Sequence, residues 1–536
     1  MDEIKKNFFS HSGIPIKRVY TPEDAKGIEY DRDIGLPGEY PFTRGVYHDM
    51  YRGKLWTIRR FSGVNTPEAT NKLYKKEYEL GQTGFSIASD GPTNAALDSD
   101  DPRVSAEVGA VGVPIDSLLD MEICFEDLPI DKVATAVTTA TMGCQTLTAM
   151  YFAMAEKRGL KLKNLSGSTV NDVTSCPGSN YYYDQIPPRP TLRVAVDFIE
   201  WCNDVAPKWH PVFFDSYVYR EHSITAVQEL GLLLATAIAY IEEEKQRGRM
   251  PVDKFISTFA FDMSIHNDFF EEIAKFRAAR RIWAKIVRER YGIDDPDLSR
   301  LRFHAQSAGI THTTQEPLNN LIRIAYQVLA AALGGAQSVH ANAYDEGICL
   351  PTDEGMLLSI RTEQILQHET NIINTVDPLG GSYFIESLTS KIEKRVWEYI
   401  RKIDDMGYMI KAIETGWLHD EYRTAMVEQQ RRVNSDKEVV VGMNKFRLDK
   451  EIYKVPIFKP DPAADNIQVE RIKKIKRERN NSRVEQLLKE LKDVTLSGDN
   501  VMPVIFEAVK EYATLGEIAG VWRDIYGIWQ YPMNIN

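Results

Sequence analysis

The sequence predicts an α/β protein: a parallel (β/α)8 barrel, preceded by an extended belt and followed by a helical extension. Three observations carry that prediction. Eight short strand-like runs fall between residues 84 and 377, the segments between them carry helical periodicity, and polar residues gather where each apolar run ends. Strand alternating with helix eight times is the signature of a closed parallel sheet of the TIM type.

The predicted strands are Gly84–Ser89, Lys132–Thr138, Lys163–Ser168, His210–Ser216, Phe255–Asp262, Leu301–Ser307, Ala336–Ala343 and Asn371–Asp377. Between them, Ser223–Glu244, Asp268–Arg290 and Pro317–Leu333 repeat apolar residues at three- and four-residue steps, the spacing of one helical face. The organisation that follows is an arm and belt over 1–63, a barrel over 64–390 and a helical extension with a linker over 391–536. In the extension, Leu388–Met406 and Trp417–Arg432 read as helices, Val439–Tyr453 as a hairpin or strand pair, and Pro456–Pro462 as the linker. Arg471–Asp493 reads as one charged helix whose basic start is a solvated face, and Asp499–Gln530 as a last helical region.

Composition bounds the function. The chain has 536 residues, 43% of them hydrophobic, and a net charge of −12. That balance disfavours a nucleic-acid or anionic-membrane surface. The five dispersed cysteines form no Cys-x-x-Cys pair, which points to reduced thiols, a cytoplasmic location and no protein-bound metal. The N-terminus has no apolar signal core, and no apolar run approaches the roughly 18 residues that a membrane span requires.

The stretch Tyr40–Gly63 is rich in aromatics, glycine and fixed positive charge without a regular period. A long irregular run of this kind is functional or disordered, and disorder does not suit so many aromatics. On composition alone, a belt over a binding site and an arm packed on a surface stand about even. In a barrel, chemistry sits at the C-terminal ends of the strands. The residues there are Asp90, Asn171 with Asp172, Tyr217, Asp262, His304 with Gln306, His340 with Asn342, and Asp377. Polar residues end strands in any fold, but His304 and Gln306, like His340 and Asn342, stand two apart and so share one face of a strand.

Tyr-Pro-Phe-Thr-Arg-Gly at 40–45, Trp-Thr-Ile-Arg at 56–59, Leu97–Arg103, Gly334–His340, Asp345-Glu346 and Asp377–Tyr383 together resemble the adenosylcobalamin-dependent acyl-CoA mutases, from about Ile14 to about Phe446. The resemblance decides for the binding belt. It implies a radical carbon-skeleton mutase, an intramolecular transferase, with substrate in the barrel lumen and cobalamin over the barrel mouth. In that family cobalamin rides on a module whose Asp-x-His-x-x-Gly motif offers a histidine to cobalt, and none of the ten histidines here lies in such a setting. The resemblance therefore implies a separate small cobalamin-binding subunit, with the C-terminal helical part as an interface; a G-protein chaperone is a further candidate partner.

Site residues carry over position by position. Ser89, Val111, Gly309, Gln337, His340, Asn342, Glu346 and Cys349 match the cofactor side. Tyr47, Met50, Lys54, Thr57, Arg59, Ser86, Val170 and Ser179 match the acyl-CoA side, with Lys54 in place of an arginine. Phe61, Asp90, Val218, His304 and Gln306 match the reacting centre: Phe61 and Val218 shape the lumen, His304 and Gln306 hydrogen-bond the reacting group, and Asp90 holds the first strand's mouth.

The departures shape the expected substrate. Phe61 stands where methylmalonyl enzymes have tyrosine, Ser179 where they have a carboxylate-binding arginine, Val170 for glutamine and Val218 for a thioester-contacting histidine; His222 lies four residues on. Asn94-Ala95-Ala96 and Gly91 replace bulkier residues. Thr258, Ala260 and Asp297 thin the phosphate contacts, with Arg52, Lys54 and Arg300 as compensating cations. The expected lumen is wider and more apolar, suited to a branched or aryl acyl-CoA rather than methylmalonyl-CoA. A mutase of a non-CoA substrate and a non-catalytic assembly partner remain as alternatives.

Overall fold

A computed structural model describes residues 8–104, 106–139, 141–175, 184–450 and 453–532. Its centre is a closed ring of eight parallel strands. These are β1 (Thr57–Ile58 and Phe61–Ser62), β2 (Gly84–Ile87), β3 (Ala134–Val137), β4 (Gly167–Thr169), β5 (Trp209–His210 and Val212–Asp215), β6 (Phe259–Ile265), β7 (Phe303–Ser307) and β8 (Ser338–His340). Each pairs with the next, and β8 returns to β1 through Ser338 beside Thr57 and Val339 beside Ile58.

The first strand is a correction to the sequence reading. It lies within the belt, and Asn371–Asp377 is not a strand: it holds a 3-10 turn, with Asn371 and Asp377 both at positive φ. Asp377 instead meets Arg277 and Arg44 beside the ring. Thr57–Ser62 escaped detection because neither face is aliphatic. One face carries Arg59 and Phe61 into the lumen. The other buries an ion pair, Arg60 Nε to Glu77 at 3.3 Å, with both side chains almost wholly excluded from solvent.

Helices α1 (Pro67–Glu79), α2 (Leu118–Cys124), α3 (Thr141–Lys157), α4 (Pro188–Val205), α5 (Ala226–Arg247), α6 (Phe269–Lys285), α7 (Asn319–Gly334) and α8 (Asp353–His368) follow the strands around the ring. Gly335 ends α7 at φ 84°, a left-handed conformation that glycine adopts without Cβ strain. α9 (Tyr383–Asp405) lies across α5 and α6. The belt is held by α6: buried Arg280 donates to the carbonyls of Phe42 (2.8 Å) and Thr43 (2.7 Å), and Arg281 to that of Asp33 (2.9 Å).

The extension continues with α10 (Trp417–Asn434), α11 (Ala464–Glu478), α12 (Asn481–Ser497), α13 (Met502–Lys510) and α14 (Leu515–Tyr526). The single helix expected over 471–493 is two, because Asn480 leaves the helix and caps α12 through Arg483 N at 3.2 Å. The hairpin expected after 439 is a turn with one bridge, Val441 to Lys445. The basic start of α11 is not a purely solvated face: Arg471 meets Glu68 and Asp120, and Lys476 meets Asp98 at 3.0 Å and Asp100 at 2.8 Å. Leu487, Leu491, Ile505 and Trp522 share a buried core with Leu147 and Met150 of α3. Among the described residues, no helix is long and apolar enough to cross a membrane.

Candidate active site

Side chains at period two along the strands point into the ring. They enclose a cavity of about 230 Å³ whose lining includes Arg59, Phe61, Ser86, Val170, Val218, His304 and Gln306 from the acyl-CoA and reacting-centre sets, and Glu346 from the cofactor set. A second cavity of about 340 Å³ adjoins it at the C-terminal end and extends over the outer face of β1 toward α1 and α8; its lining includes Arg60, Phe61, Glu77, Val111, His340, Glu346 and Cys349. Phe61 and Glu346 belong to both, so they form the partition. A third, of about 250 Å³, opens at the N-terminal end, where Arg59, Phe213 and His304 again line the wall.

The lumen is more polar than its valines imply. Asp262 is the lateral partner of both Asp215 and His304, and His304 is the partner of Ser338. This places a polar row across four strands. Burial, then the neighbouring Asp215, pushes the Asp262 carboxyl well above its ordinary range, with Arg59 opposing. Burial, then Asp172, raises Asp215 to about 7. Arg59, brought down to about 10 by burial, lies over the Phe213 ring at 5.7 Å and donates to Ser338 Oγ at 3.3 Å. His304 is held neutral by burial and meets Ser338 Oγ through Nδ1 at 2.6 Å, which leaves Nε2 for the lumen.

At the C-terminal rim, Gln306 donates to Asn342 Oδ1 at 3.3 Å, and Ser307 Oγ accepts from Asn342 N at 2.8 Å. Asn342 is fully buried, and its side-chain amide interacts with the Tyr217 hydroxyl without a bond of full geometry from Nδ2. Burial raises Glu346 to about 7, with Arg60 opposing. Gly309 packs beneath the Tyr217 hydroxyl, which a Cβ would approach to 3.0 Å. Ser89 bridges to Val113 and donates weakly to the Thr138 carbonyl at 3.5 Å; Cys349 Sγ accepts from Phe458 N at 3.3 Å.

Residues 9–528 match the methylmalonyl-CoA mutase family model. The chain is 38% identical over 531 residues to the 2-hydroxyisobutanoyl-CoA mutase large subunit of Aquincola tertiaricarbonis, covering 98% of this chain and 93% of that one. It is 37% identical to the methylmalonyl-CoA mutase of Rhizobium meliloti and 34% to the human mitochondrial enzyme, in each case over 96% of this chain and 72% and 68% of theirs. The chain belongs to the methylmalonyl-CoA mutase family. It is a mutase, an intramolecular transferase of a cobalamin-dependent family.

Within this mutase most expected positions converge, and a few do not. Asp90 lines none of the three cavities described above; its carboxylate accepts from Thr93 N at 3.0 Å and Gly109 N at 2.8 Å, which fixes the loop after β2. Gln337 stands at the N-terminal end of β8, remote from the cofactor rim, and bonds Phe303 N at 2.9 Å and Gly335 O at 2.7 Å. The resemblance puts it with His340 on the cofactor side, but three residues of strand span about 10 Å. Thr57 begins β1 and Met50 packs beside Gly335 just before β8, toward the N-terminal mouth; Tyr47 and Lys54 precede β1 in the chain. Ser179 lies outside the described residues.

His222 does not replace the family histidine at Val218. Its ring stacks on Tyr422 at 4.4 Å and its Nδ1 meets the Val218 carbonyl at 2.8 Å. Arg300 is paired with Asp297, so it offers less to a phosphate than expected; Lys208 and Arg302 line the N-terminal opening instead. Asp215, Phe213 and Thr138 went unnoticed in the sequence. The alternation in Val-Phe-Phe-Asp carried the signal for Phe213 and Asp215.

Proposed function

We propose that this chain is the large subunit of an adenosylcobalamin-dependent mutase that rearranges a branched acyl-CoA, with cobalamin carried on a separate small subunit. The observation that carries this reading is the partition: Phe61 and Glu346 separate a lumen cavity from a second cavity at the C-terminal rim. The 38% identity to a relative that is named as a large subunit supports the two-subunit arrangement.

The rim residues fit the adenosyl group. A buried amide at Asn342, whose Nδ2 makes no bond of full geometry, and the Glu346 carboxyl, raised to about 7, are the partners that an adenine edge and a ribose diol need. Bound adenosylcobalamin supplies an organic radical through homolysis of its carbon–cobalt bond. The chain's own residues do the rest. Lys208 and Arg302 at the N-terminal opening hold the nucleotide end of the ester. Arg59, His304 and Gln306 position the thioester and acyl group by hydrogen bonds. Phe61, Val170 and Val218 exclude water, which would expose a reactive intermediate to side reactions.

Val218, Val170 and Phe61 leave more room than the larger polar groups expected in methylmalonyl enzymes, which favours a branched chain. Absorbance titration tests the subunit assignment. The expected outcome is that the isolated chain does not retain cobalamin, whereas a complex with the small subunit takes it up stoichiometrically. Tight uptake by the isolated chain would refute the separate-subunit reading.

A further inference from the structure

The acyl-CoA reading leaves open which polar group the acyl chain carries, and the lumen contains a pair of carboxyls for which that reading has no use. Asp215 and Asp262 are lateral partners on β5 and β6, and both line the lumen cavity. Neighbouring strands lie about 4.8 Å apart and their paired side chains face the same way. Asp262 is 6% exposed, and its Oδ1 has no hydrogen-bond partner. A buried acceptor left in that state costs about 1–3 kcal/mol, so a bound group that donates to it has a free-energy advantage that an apolar group lacks.

We propose that the Asp215–Asp262 pair is a specificity site that takes a hydroxyl group on the acyl chain of the substrate. This inference rests on the acyl-CoA reading above and narrows it. Two carboxyls this close cannot both ionise readily; they share a proton, and Asp215 keeps part of its ionised character by accepting weakly from Val218 N at 3.4 Å. The charge that remains on the pair is opposed by Arg59. Asp172 and Glu229 are the other charged groups acting on it, both acidic.

A singly charged pair with one proton, its charge opposed by Arg59, offers both a donor and an acceptor. A hydroxyl matches it in both senses. A carboxylate would add a second negative charge beside it, and an ammonium has no acceptor to return. His304 and Ser338 extend the same row away from the pair, while Val170 and Val218 give the hydrocarbon part of the chain an apolar surface.

The test is binding of matched esters to the complex of this chain with its small subunit and cobalamin, measured by calorimetry. Isobutanoyl-CoA is compared with 2-hydroxyisobutanoyl-CoA, and 3-methylbutanoyl-CoA with 3-hydroxy-3-methylbutanoyl-CoA; 2-aminoisobutanoyl-CoA is the charged control. At least one hydroxylated ester should bind about tenfold or more tightly than its parent, since sites built around a hydroxyl discriminate strongly against its absence. In Asp262→Asn and in Asp215→Asn that ratio should fall to within about threefold, with the melting temperature monitored to exclude misfolding. Equal binding in the wild type, an unchanged ratio in both folded variants, or preference for the amino ester would overturn the assignment. If no CoA ester binds at all, the acyl-CoA reading itself fails, a result separable from the others.

Discussion

The backbone amide of Phe61 donates to Nδ1 of His340 across 3.3 Å. This bond reinforces the closure of the ring between β1 and β8, and it does so at the partition between the two C-terminal cavities. Because Nδ1 accepts, the ring is the neutral tautomer with its proton on Nε2, and burial keeps it neutral. His340→Ala leaves the Phe61 amide without its partner. The expected cost is about 1–3 kcal/mol of stability, read as a lower denaturation midpoint, together with loss of turnover.

Phe61 itself is 38% exposed and contributes little to the core. Phe61→Ala should therefore fold. Its effect is to join the cavities that the ring separates. Turnover in the holoenzyme should fall on the order of a hundredfold, as expected for misplaced reacting groups, and inactivation of the cofactor per turnover should rise. Steady-state kinetics with cobalamin absorbance recorded in parallel reads both. Unchanged values for both would show that Phe61 shields nothing.

Much of this arrangement was legible in the sequence where side chains repeat at period two on apolar strands. His304-Ala-Gln306 and His340-Ala-Asn342 showed their shared faces directly. The first barrel strand did not, because Arg60 on its outer face is paired in charge with Glu77 on α1, a partner seventeen residues away. A charged residue with such a buried partner looks like a loop residue until the fold is known. Asn371–Asp377 failed in the opposite sense: β-branched residues suggested a strand, while Asn371 and Asp377 adopt the positive φ that interrupts one. The Asp215–Asp262 pair was hidden for a third reason. Its meaning lies in lateral register between strands 47 residues apart, which neither strand encodes alone.

Methylmalonyl-CoA should not be turned over. A free carboxylate entering the lumen would meet Asp215 and Asp262, and the lining offers Arg59 as a cation already opposed by Asp262. A buried charge without its partner costs several kcal/mol. Isomerisation to succinyl-CoA at ~1 per second or faster, followed by chromatography of the esters, would contradict this account of the lumen.

The C-terminal helices should prove part of the folding unit rather than a detachable interface. Leu491 on α12 is fully buried in the core that contains Leu147 and Met150 of α3. Leu491→Ala should cost about 2–5 kcal/mol, visible as a lower midpoint of a single unfolding transition. A separate early transition that absorbs the whole effect would show that the extension folds by itself.

Glu346 allows function and stability to be separated by pH. Burial raises its carboxyl from the ordinary value near 4.5 to about 7. A carboxyl raised in the folded state binds its proton more tightly there than in the unfolded chain. Its stabilising effect is then fully present below pH 4.5 and is lost as pH rises through 7. Glu346→Gln keeps the shape and removes the titration. The variant should match the wild type near pH 4 and exceed it above pH 7, by on the order of 1–3 kcal/mol, in denaturant melts taken at several pH values. Above pH 7 the same variant should lose most cofactor-dependent turnover, and Glu346→Ala should lose essentially all of it, because the ionised carboxylate accepts from the ribose hydroxyls. A variant that gains stability at high pH and loses activity there has Glu346 as a binding group held at an energetic cost. A variant that gains stability and keeps full activity would remove Glu346 from the site.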